Sequence, residues 1–230
     1  MSLAVDDAEL RDREASLPST LHGALLARAQ MMHVKRGQIV IADESPSTDV
    51  YFIVSGCVQV SLATLHGNET ILREMGAGRL FGELAAIDGH PRSATVVALQ
   101  DSMLAQLSAA DFEGFLASSP QASLWMVRQL AARVRNLTQK AFELATMSVG
   151  NRLQSELIRL AEMAGIADDQ SMISPLPTHA NLAARLGTHR EAVTRELGAL
   201  ANEGVIAQQG RTLTIYSVSA LRTLRRRTMR

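Results

Sequence analysis

Residues 178–218 read THANLAARLGTHREAVTRELGALANEGVIAQQGRTLTIYSV, and this stretch decides the architecture of the C-terminal part of the chain. Thr178 precedes a short apolar-periodic segment over 179–186, and a hydroxyl at that position accepts a backbone N–H at the start of a helix. Gly187 follows the segment and suits the left-handed turn that often ends a helix. The pattern therefore predicts a short capped helix followed by a tight turn.

A second helix is expected to begin at Thr188 or His189 and to run to about Glu203. Five apolar residues at helical spacing give the two helices a joint core: Leu182, Leu186, Val193, Leu197 and Leu200. The segment 205–217 then predicts a two-stranded hairpin with Gly210 in its turn. Helix, tight turn, helix and hairpin together predict a winged helix-turn-helix.

A further helix precedes this unit. Ser148 is a plausible N-cap for a helix over 149–164, and Gly165 ends it. Residues 166–177 form a polar connector that contains proline. Ser148 is therefore expected to be both a hinge and a domain boundary.

Residues 121–147 predict one long helix, because they contain neither glycine nor proline. Its apolar residues recur at spacings of three and four: Val127, Leu130, Val134, Leu137, Ala141 and Leu144. Two interpretations remain open, a helix that packs on its own domain and a symmetric coiled coil between two copies. The narrow stripe and its polar flanks favour the coiled coil; those flanks are Arg128, Gln129, Arg133, Arg135, Gln139 and Lys140.

The region from about Val34 to Leu107 predicts short strands separated by turns such as His66-Gly67-Asn68. The candidate strands are QIVIA, DVYFIV, CVQVSLA, ETILREM, SATVVAL and MLAQL. Strands that recur about every ten residues indicate a small sandwich or barrel rather than alternating strands and helices. A short helix over 108–119 is expected next, with a break at Pro120.

Composition narrows the class of protein. The chain has 230 residues, of which 47% are hydrophobic and 20% charged, so packed cores are expected. No apolar run is long enough to span a membrane, and the acidic N-terminal segment lacks a secretion pattern. The single cysteine, Cys57, excludes an internal disulfide and a cysteine-ligated iron–sulfur cluster or zinc ribbon. A cytoplasmic protein is expected.

Formal net charge is zero, but the two parts of the chain differ. Residues 1–147 carry 12 Lys and Arg against 16 Asp and Glu, whereas 148–230 carry 11 Arg against 7 Asp and Glu. A mildly basic C-terminal part is compatible with contact to nucleic-acid phosphates.

Two motifs resemble one family. FGELAAIDGHPRSATVVA (81–98) resembles the phosphate-binding cassette of the cyclic AMP receptor protein (CRP/FNR) family, and GTHREAVTRELGAL (187–200) resembles its recognition helix. The resemblance implies an α+β fold with an N-terminal cyclic-nucleotide-binding β-barrel of the double-stranded jelly-roll type. A long dimerisation helix and a C-terminal winged helix-turn-helix follow. The corresponding domains are 1–120, 121–147 and 148–230.

The cassette also has a physical logic. Residues 84–87 can form one helical turn whose free N–H groups face a phosphate, and Arg92 offers two guanidinium donors to its oxygens. Glu83 can accept the ribose 2′-hydroxyl, and Gly82 allows close backbone approach. The expected nucleotide-binding residues here are Gly82, Glu83, Leu84, Ala85, Arg92 and Ser93. The alternative is that Glu83 and Arg92 form only a surface ion pair.

The base-sensing positions depart from the family pattern. The resemblance places two adjacent hydroxyl residues on the long helix against adenine, and the matching positions hold Leu137 and Thr138. Thr138 keeps the hydroxyl expected to reach the partner subunit's ligand. Asn136 or Arg135 offers a substitute polar contact, and a carboxamide can serve either adenine or guanine. Cyclic AMP is the first expectation, and cyclic GMP or dual recognition is the alternative.

The predicted recognition helix carries Arg190, Glu191 and Arg195. Arginine pairs with guanine O6 and N7 in the major groove, and glutamate accepts from cytosine N4. The resemblance implies double-stranded DNA with a TGTGA-like inverted repeat. An incidental Glu191–Arg195 pair on an exposed helix is the alternative.

Further DNA contacts, mainly to phosphates, are expected from Thr178, His179, His189 and Arg211. The Arg-rich tail over 221–230 is expected to extend past the core. It has two equal interpretations, an aid to non-specific DNA binding and a solvated basic end.

Other functions stay open at this point. A regulator of the same fold could sense haem, oxygen or redox state, although the histidines show no paired metal spacing and no metal is expected. A phosphodiesterase using Glu83, Asp88, His90 and Arg92 would need a metal cluster or an activated nucleophile, so no catalytic residue is expected. The third alternative function is a nucleotide-binding module that acts only on proteins. RNA polymerase is an expected partner of the regulator.

Overall fold

A computed structural model describes residues 16–63 and 69–227 of the chain. Its contacts divide the chain into two compact units, Met1–Leu137 and Thr138–Arg230. The acidic segment 1–15 and the turn expected at His66-Gly67-Asn68 lie outside the described residues.

The first unit contains two four-stranded antiparallel sheets. One has the strand order β1-β8-β3-β6 and the other β2-β7-β4-β5. The strands are β1 Gln30–Val34, β2 Ile39–Ile41, β3 Val50–Ser55, β4 Cys57–Ala63, β5 Glu69–Gly76, β6 Leu80–Phe81, β7 Thr95–Ala98 and β8 Ser102–Leu107. This arrangement confirms the predicted β-barrel. The sequence missed β1 and β6, because β1 is mostly exposed and β6 has only two residues.

Among the described residues, four helices accompany the sheets: α1 Ser19–Leu26, α2 Glu83–Asp88, α3 Ala109–Ala117 and the long α4 Pro120–Thr146. Ser108 caps α3, since its hydroxyl accepts from the Asp111 backbone N–H at 3.1 Å. One apolar cluster lies inside the sheets around Ile53, Val58 and Phe81. A second cluster forms where α1, α3 and α4 pack on the sheets.

Helix α4 has two apolar faces, and the sequence identified only one of them. Ala122, Trp125 and Met126 are buried in the cluster that joins helices and barrel, and Leu130 packs against it. The other apolar positions of the predicted stripe are exposed within one chain: Val127, Val134, Leu137, Ala141 and Leu144. The expected stripe is therefore split, because Leu130 belongs to the barrel-facing side.

The second unit is built on helices α5 Val149–Ala164, α6 His179–Leu186 and α7 Arg190–Asn202. Ser148 and Thr178 cap α5 and α6 as predicted, each accepting a backbone N–H at 3.2 Å. Gly187 ends α6 with φ +63°, in the left-handed region. The five predicted core residues are buried in one cluster: Leu182, Leu186, Val193, Leu197 and Leu200.

The wing is a three-stranded sheet rather than the predicted two-stranded hairpin. Strands β10 Ile206–Gln209 and β11 Thr212–Ile215 form the hairpin, and β9 Ser171–Ile173 pairs with β11. Strand β9 lies in the segment expected to be a connector. Its three residues between polar and proline-rich neighbours give too short an alternation to predict a strand.

The Arg-rich tail also differs from expectation. Residues Val218–Arg227 form helix α8, and its Leu221 is completely buried in the core of the unit. Arg222 pairs with Glu162 of α5 at 2.7 Å. The tail is thus helical up to Arg227 and is packed in the unit through Leu221, while residues 228–230 lie outside the described part. No helix among the described residues is long and apolar enough to cross a membrane.

Candidate ligand pocket and nucleic-acid interface

A pocket opens in the barrel unit where the predicted cassette meets the sheet β2-β7-β4-β5. All six cassette residues expected to bind a nucleotide line it: Gly82, Glu83, Leu84, Ala85, Arg92 and Ser93. Ala85 is buried, Leu84 is half-buried and Ser93 is exposed. The structure therefore brings together the residues that the sequence assigned to one site.

Gly82 shapes the backbone at the mouth of this pocket. Its φ of +84° is a conformation that side chains disfavour, and a Cβ atom there would lie 2.8 Å from the carbonyl oxygen of Asp49. The same Cβ would lie 2.9 Å from Nη1 of Arg92. Only glycine therefore allows Arg92 to approach the chain at this point.

Arg92 is held by the protein on three sides. Nη1 donates to the carbonyl oxygen of Gly82 at 2.8 Å, Nη2 to that of Asp49 at 2.7 Å, and Nε to the Ser47 hydroxyl at 3.0 Å. The side chain is buried, and burial lowers the pKa of the guanidinium from its ordinary value, while Tyr51, Asp49 and Glu83 oppose that shift. A guanidinium has five N–H donors, so two remain for an anion.

Glu83 is the most deeply buried charge of the pocket, with 1% of the residue exposed. Its Oε1 accepts a hydrogen bond from Nη1 of Arg133 on α4. Its Oε2 is buried and has no hydrogen-bond partner among the described residues. A buried carboxylate oxygen without a donor is costly, and a ligand hydroxyl would satisfy it.

This geometry excludes the expected alternative of a surface Glu83–Arg92 ion pair. Both residues are buried, and the partner of Glu83 is Arg133 instead of Arg92. The sequence interpretation placed Arg133 among the solvated flanks of the long helix. Its contact with Glu83 spans 50 positions of the chain, so the helical pattern alone gave no indication of it.

Two further residues of the long helix, Asn136 and Thr138, were expected to contact the base. Asn136 is half-buried near the end of the barrel unit, and Thr138 is exposed at the first position of the second unit. Neither residue lines the pocket described above.

Helix α7 of the second unit has one buried and one exposed face. Ala192, Val193 and Leu197 face the core, whereas the predicted base-contacting residues are all exposed: Arg190, Glu191 and Arg195. The ion pair of Arg195 is with Glu196 at 3.3 Å and not with Glu191. The exposed residues therefore form an accessible polar surface next to the N-terminal end of the helix.

The residues expected to contact phosphates have varied surroundings. His189 is exposed at the N-cap of α7. His179 lies on α6, and its Nδ1 is 2.8 Å from the hydroxyl of Thr194 on α7. Thr178 uses its hydroxyl oxygen to cap α6. Arg211 donates to the carbonyl oxygen of Leu176, with Nη2 at 3.3 Å.

Two parts of the chain match known families. Residues 31–119 match the cyclic nucleotide-binding domain, and residues 151–224 match the Crp-like helix-turn-helix domain. These two matches coincide with the barrel that carries the pocket and with the winged unit that carries α7.

Similar proteins of known function are bacterial regulators. A CRP-like cAMP-activated global transcriptional regulator of Mycobacterium tuberculosis is 27% identical over 199 residues, 86% of this chain and 88% of the relative. The cyclic AMP receptor protein of Thermus thermophilus is 32% identical over 174 residues, 75% of this chain and 77% of the relative.

Solved structures share the fold. The c-di-GMP-responsive global regulator of Xanthomonas campestris superposes with a TM-score of 0.76 at 22% identity, over 86% of this chain and 99% of that one. A CooA mutant of Carboxydothermus hydrogenoformans has a TM-score of 0.75 at 21% identity, over 93% and 99% of the two chains. The two domain matches and the relatives together show that this chain belongs to the CRP/FNR family of DNA-binding transcriptional regulators with a cyclic-nucleotide-binding domain.

Proposed function

We propose that this chain is a homodimeric transcription factor whose affinity for operator DNA is controlled by a 3′,5′-cyclic purine nucleotide bound in the barrel pocket. The observation that carries the proposal is the buried, unpartnered Oε2 of Glu83, beside the buried guanidinium of Arg92. A cyclic nucleotide offers one hydroxyl and one anionic phosphate, which match these two groups.

The phosphate would bind to Arg92 through the donors that the protein leaves free, with the exposed Ser93 hydroxyl as a further donor. The backbone of Leu84 and Ala85 at the start of α2 lines the same end of the pocket. The ribose 2′-hydroxyl would donate to Oε2 of Glu83, while Arg133 holds Oε1. This contact would distinguish a ribose from a deoxyribose.

The identity of the base is the finer part of the proposal. One relative is named as cAMP-activated and another as a cyclic AMP receptor protein, which supports cAMP. The alternative is cGMP, and the choice between the two depends on the residues of this chain's own pocket. Leu137 supplies no hydroxyl to an adenine, so Thr138 from the partner subunit and Asn136 are the remaining polar candidates on the helix. No metal is required by this scheme.

The operator would be a TGTGA-like inverted repeat of double-stranded DNA. Arg190 and Arg195 would donate to guanine and Glu191 would accept from cytosine, and their common exposure on α7 supports this role. Phosphate contacts are assigned to Thr178, His179, His189 and Arg211. Two recognition helices about 34 Å apart would meet successive major grooves.

The dimer would form through the helix 121–147. Val127, Val134 and Leu137 are each more than half exposed in a single chain, and large apolar residues on one stripe favour burial against a second copy. We assign 1–120 to nucleotide binding, 121–147 to dimerisation and 148–230 to DNA binding. Nucleotide binding would favour one arrangement of the paired helices, and a hinge at Ser148 would transmit it. RNA polymerase, in the cytoplasm, would be the partner of the DNA-bound dimer.

Fluorescence anisotropy with a labelled inverted-repeat duplex tests the gate. We expect cAMP or cGMP to tighten DNA binding at least tenfold, and DNA to tighten nucleotide binding by the same factor, because the coupling is reciprocal. A matched duplex with scrambled half-sites is the control. Equal DNA affinity with and without both nucleotides would contradict the proposal.

A further inference from the structure

The floor of the pocket is a row of four paired residues, one from each strand of the sheet. Ile41 of β2 is opposite Val96 of β7, Val96 is opposite Val60 of β4, and Val60 is opposite Arg73 of β5. All four line the pocket. The row therefore ends in an apolar residue on one side and an arginine on the other.

The Ile41 end of the row is the Arg92 end. A Cβ placed on Gly82 would lie 2.9 Å from Nη1 of Arg92 and 3.1 Å from Cδ1 of Ile41, so these two atoms are neighbours. Three strand spacings, about 14 Å in all, separate Ile41 from Arg73 across the sheet. A ligand whose phosphate is held by Arg92 and whose ribose is held by Glu83 extends its base along this row towards β5.

Arg73 occupies a position that the strand pattern otherwise gives to apolar residues. Its partner Val60 and the next inward residues, Val58 and Met75, belong to the inner apolar cluster, whereas Leu72 and Glu74 on either side of Arg73 are exposed. Arg73 itself is half-buried. Arg73 therefore places a permanent cation at the β5 end of the pocket lining.

We infer that Arg73 reads the edge of the purine base and makes guanine the preferred base, an inference that rests on the proposed function. A guanidinium only donates hydrogen bonds. Guanine presents O6 and N7 as two neighbouring acceptors, whereas adenine presents N7 beside the N6 amino donor. Arg73 therefore forms a bidentate pair with guanine and faces a mismatched donor in adenine, so that cGMP is the preferred effector.

Isothermal titration of the full chain with cGMP, cAMP and cIMP tests this assignment. Hypoxanthine keeps O6 and N7 but lacks the 2-amino group, so cIMP isolates the edge that Arg73 reads. We expect wild type to bind cGMP and cIMP about tenfold or more tightly than cAMP. Arg73→Ala should weaken cGMP and cIMP about tenfold and leave cAMP within about threefold. Arg36→Ala removes an exposed arginine outside the pocket and is the matched control.

Arg73→Lys provides a second variant, because it keeps the charge but loses the two-pronged donor, and it should reduce the preference for cGMP. A wild-type preference for cAMP, or an equal loss for all three nucleotides in Arg73→Ala, would overturn the inference while leaving the proposed function intact. Loss of cGMP binding without loss of cIMP binding would also overturn it, since the contact would then be at the amino edge. If wild type binds none of the three, the proposed function fails together with the inference.

Discussion

The charged residues of the barrel pocket and those of helix α7 are arranged in opposite ways. In the pocket, Glu83 and Arg92 are buried and fixed by protein partners before any ligand arrives. On α7, Arg190 and Glu191 are exposed on a helix whose other face supplies the core. A substitution of a charged pocket residue should therefore affect both fold stability and ligand binding. A substitution of an exposed charge on α7 should affect DNA binding with little effect on stability.

The largest expected effect follows from removing the buried guanidinium. Arg92→Ala removes the three hydrogen bonds to Gly82, Asp49 and Ser47 and also removes the proposed phosphate donor. We expect cyclic nucleotide affinity to fall about 100-fold or more, roughly 3 kcal/mol, because a charged hydrogen-bond partner is lost at a buried site. Isothermal titration measures the loss, with Arg36→Ala as the control. An affinity within threefold of wild type would remove Arg92 from the site.

The Glu83–Arg133 pair should behave as a coupled unit. Glu83→Ala leaves the Arg133 guanidinium without its carboxylate in a mostly buried position, and we expect the barrel to lose about 2–4 kcal/mol of unfolding free energy. The double variant Glu83→Ala/Arg133→Ala should lose less than the sum of the two single variants. Urea unfolding at one fixed protein concentration measures all three, and strictly additive losses would show that the pair is not coupled.

The recognition helix should separate DNA binding from stability. Arg190→Ala is expected to weaken operator binding by about 1–3 kcal/mol and to change the free energy of unfolding by less than about 0.5 kcal/mol, because the side chain is exposed. Anisotropy titration and thermal unfolding measure the two quantities. Arg28→Ala, an exposed arginine of the barrel unit, serves as the charge control. A large drop in melting temperature with Arg190→Ala would break the contrast between the two regions.

The smallest effect is a pH dependence confined to the winged unit. Hydrogen bonds from the Ser217 hydroxyl, and from the Ser219 hydroxyl and backbone N–H, lower the pKa of Asp169 below its ordinary value of 3.8. Because the pKa of Asp169 is lower in the folded state than in the unfolded state, these hydrogen bonds stabilise the fold at pH values above the unfolded-state pKa. This stabilisation is lost as the pH falls through the folded-state pKa.

Thermal unfolding between pH 7 and pH 3 tests this contribution. Wild type should be more stable than Asp169→Asn at neutral pH, and the difference should shrink below about pH 4. A difference between the two proteins that is constant over the whole range would contradict the assignment to Asp169.

The sequence predicted the elements that local chemistry determines. The caps at Ser148 and Thr178, the left-handed turn at Gly187 and the exposed face of α7 follow from residue types at short spacing. The cassette residues of the pocket were also identified, because all six lie within a segment of 12 residues, 82–93. Each of these features could be predicted from residues that lie close together in the sequence.

The features that the sequence missed depend on contacts between distant segments. Arg133 meets Glu83 across 50 positions, and nothing in the helical pattern distinguishes it from a solvated arginine. Strand β9 exists because β11 pairs with it, and Leu221 is buried because α5 lies beneath α8. Such pairings are set by the packed fold and leave no short-range pattern in the sequence.

The two faces of α4 have a consequence for biosynthesis. Ala122, Trp125 and Met126 anchor the first half of the helix to the barrel of the same chain. A newly made subunit can therefore order this half as soon as its own barrel has formed, without waiting for a second polypeptide. In the proposed dimer, association would then join two surfaces that are already folded, and its rate would depend on the exposed stripe rather than on refolding of the helix.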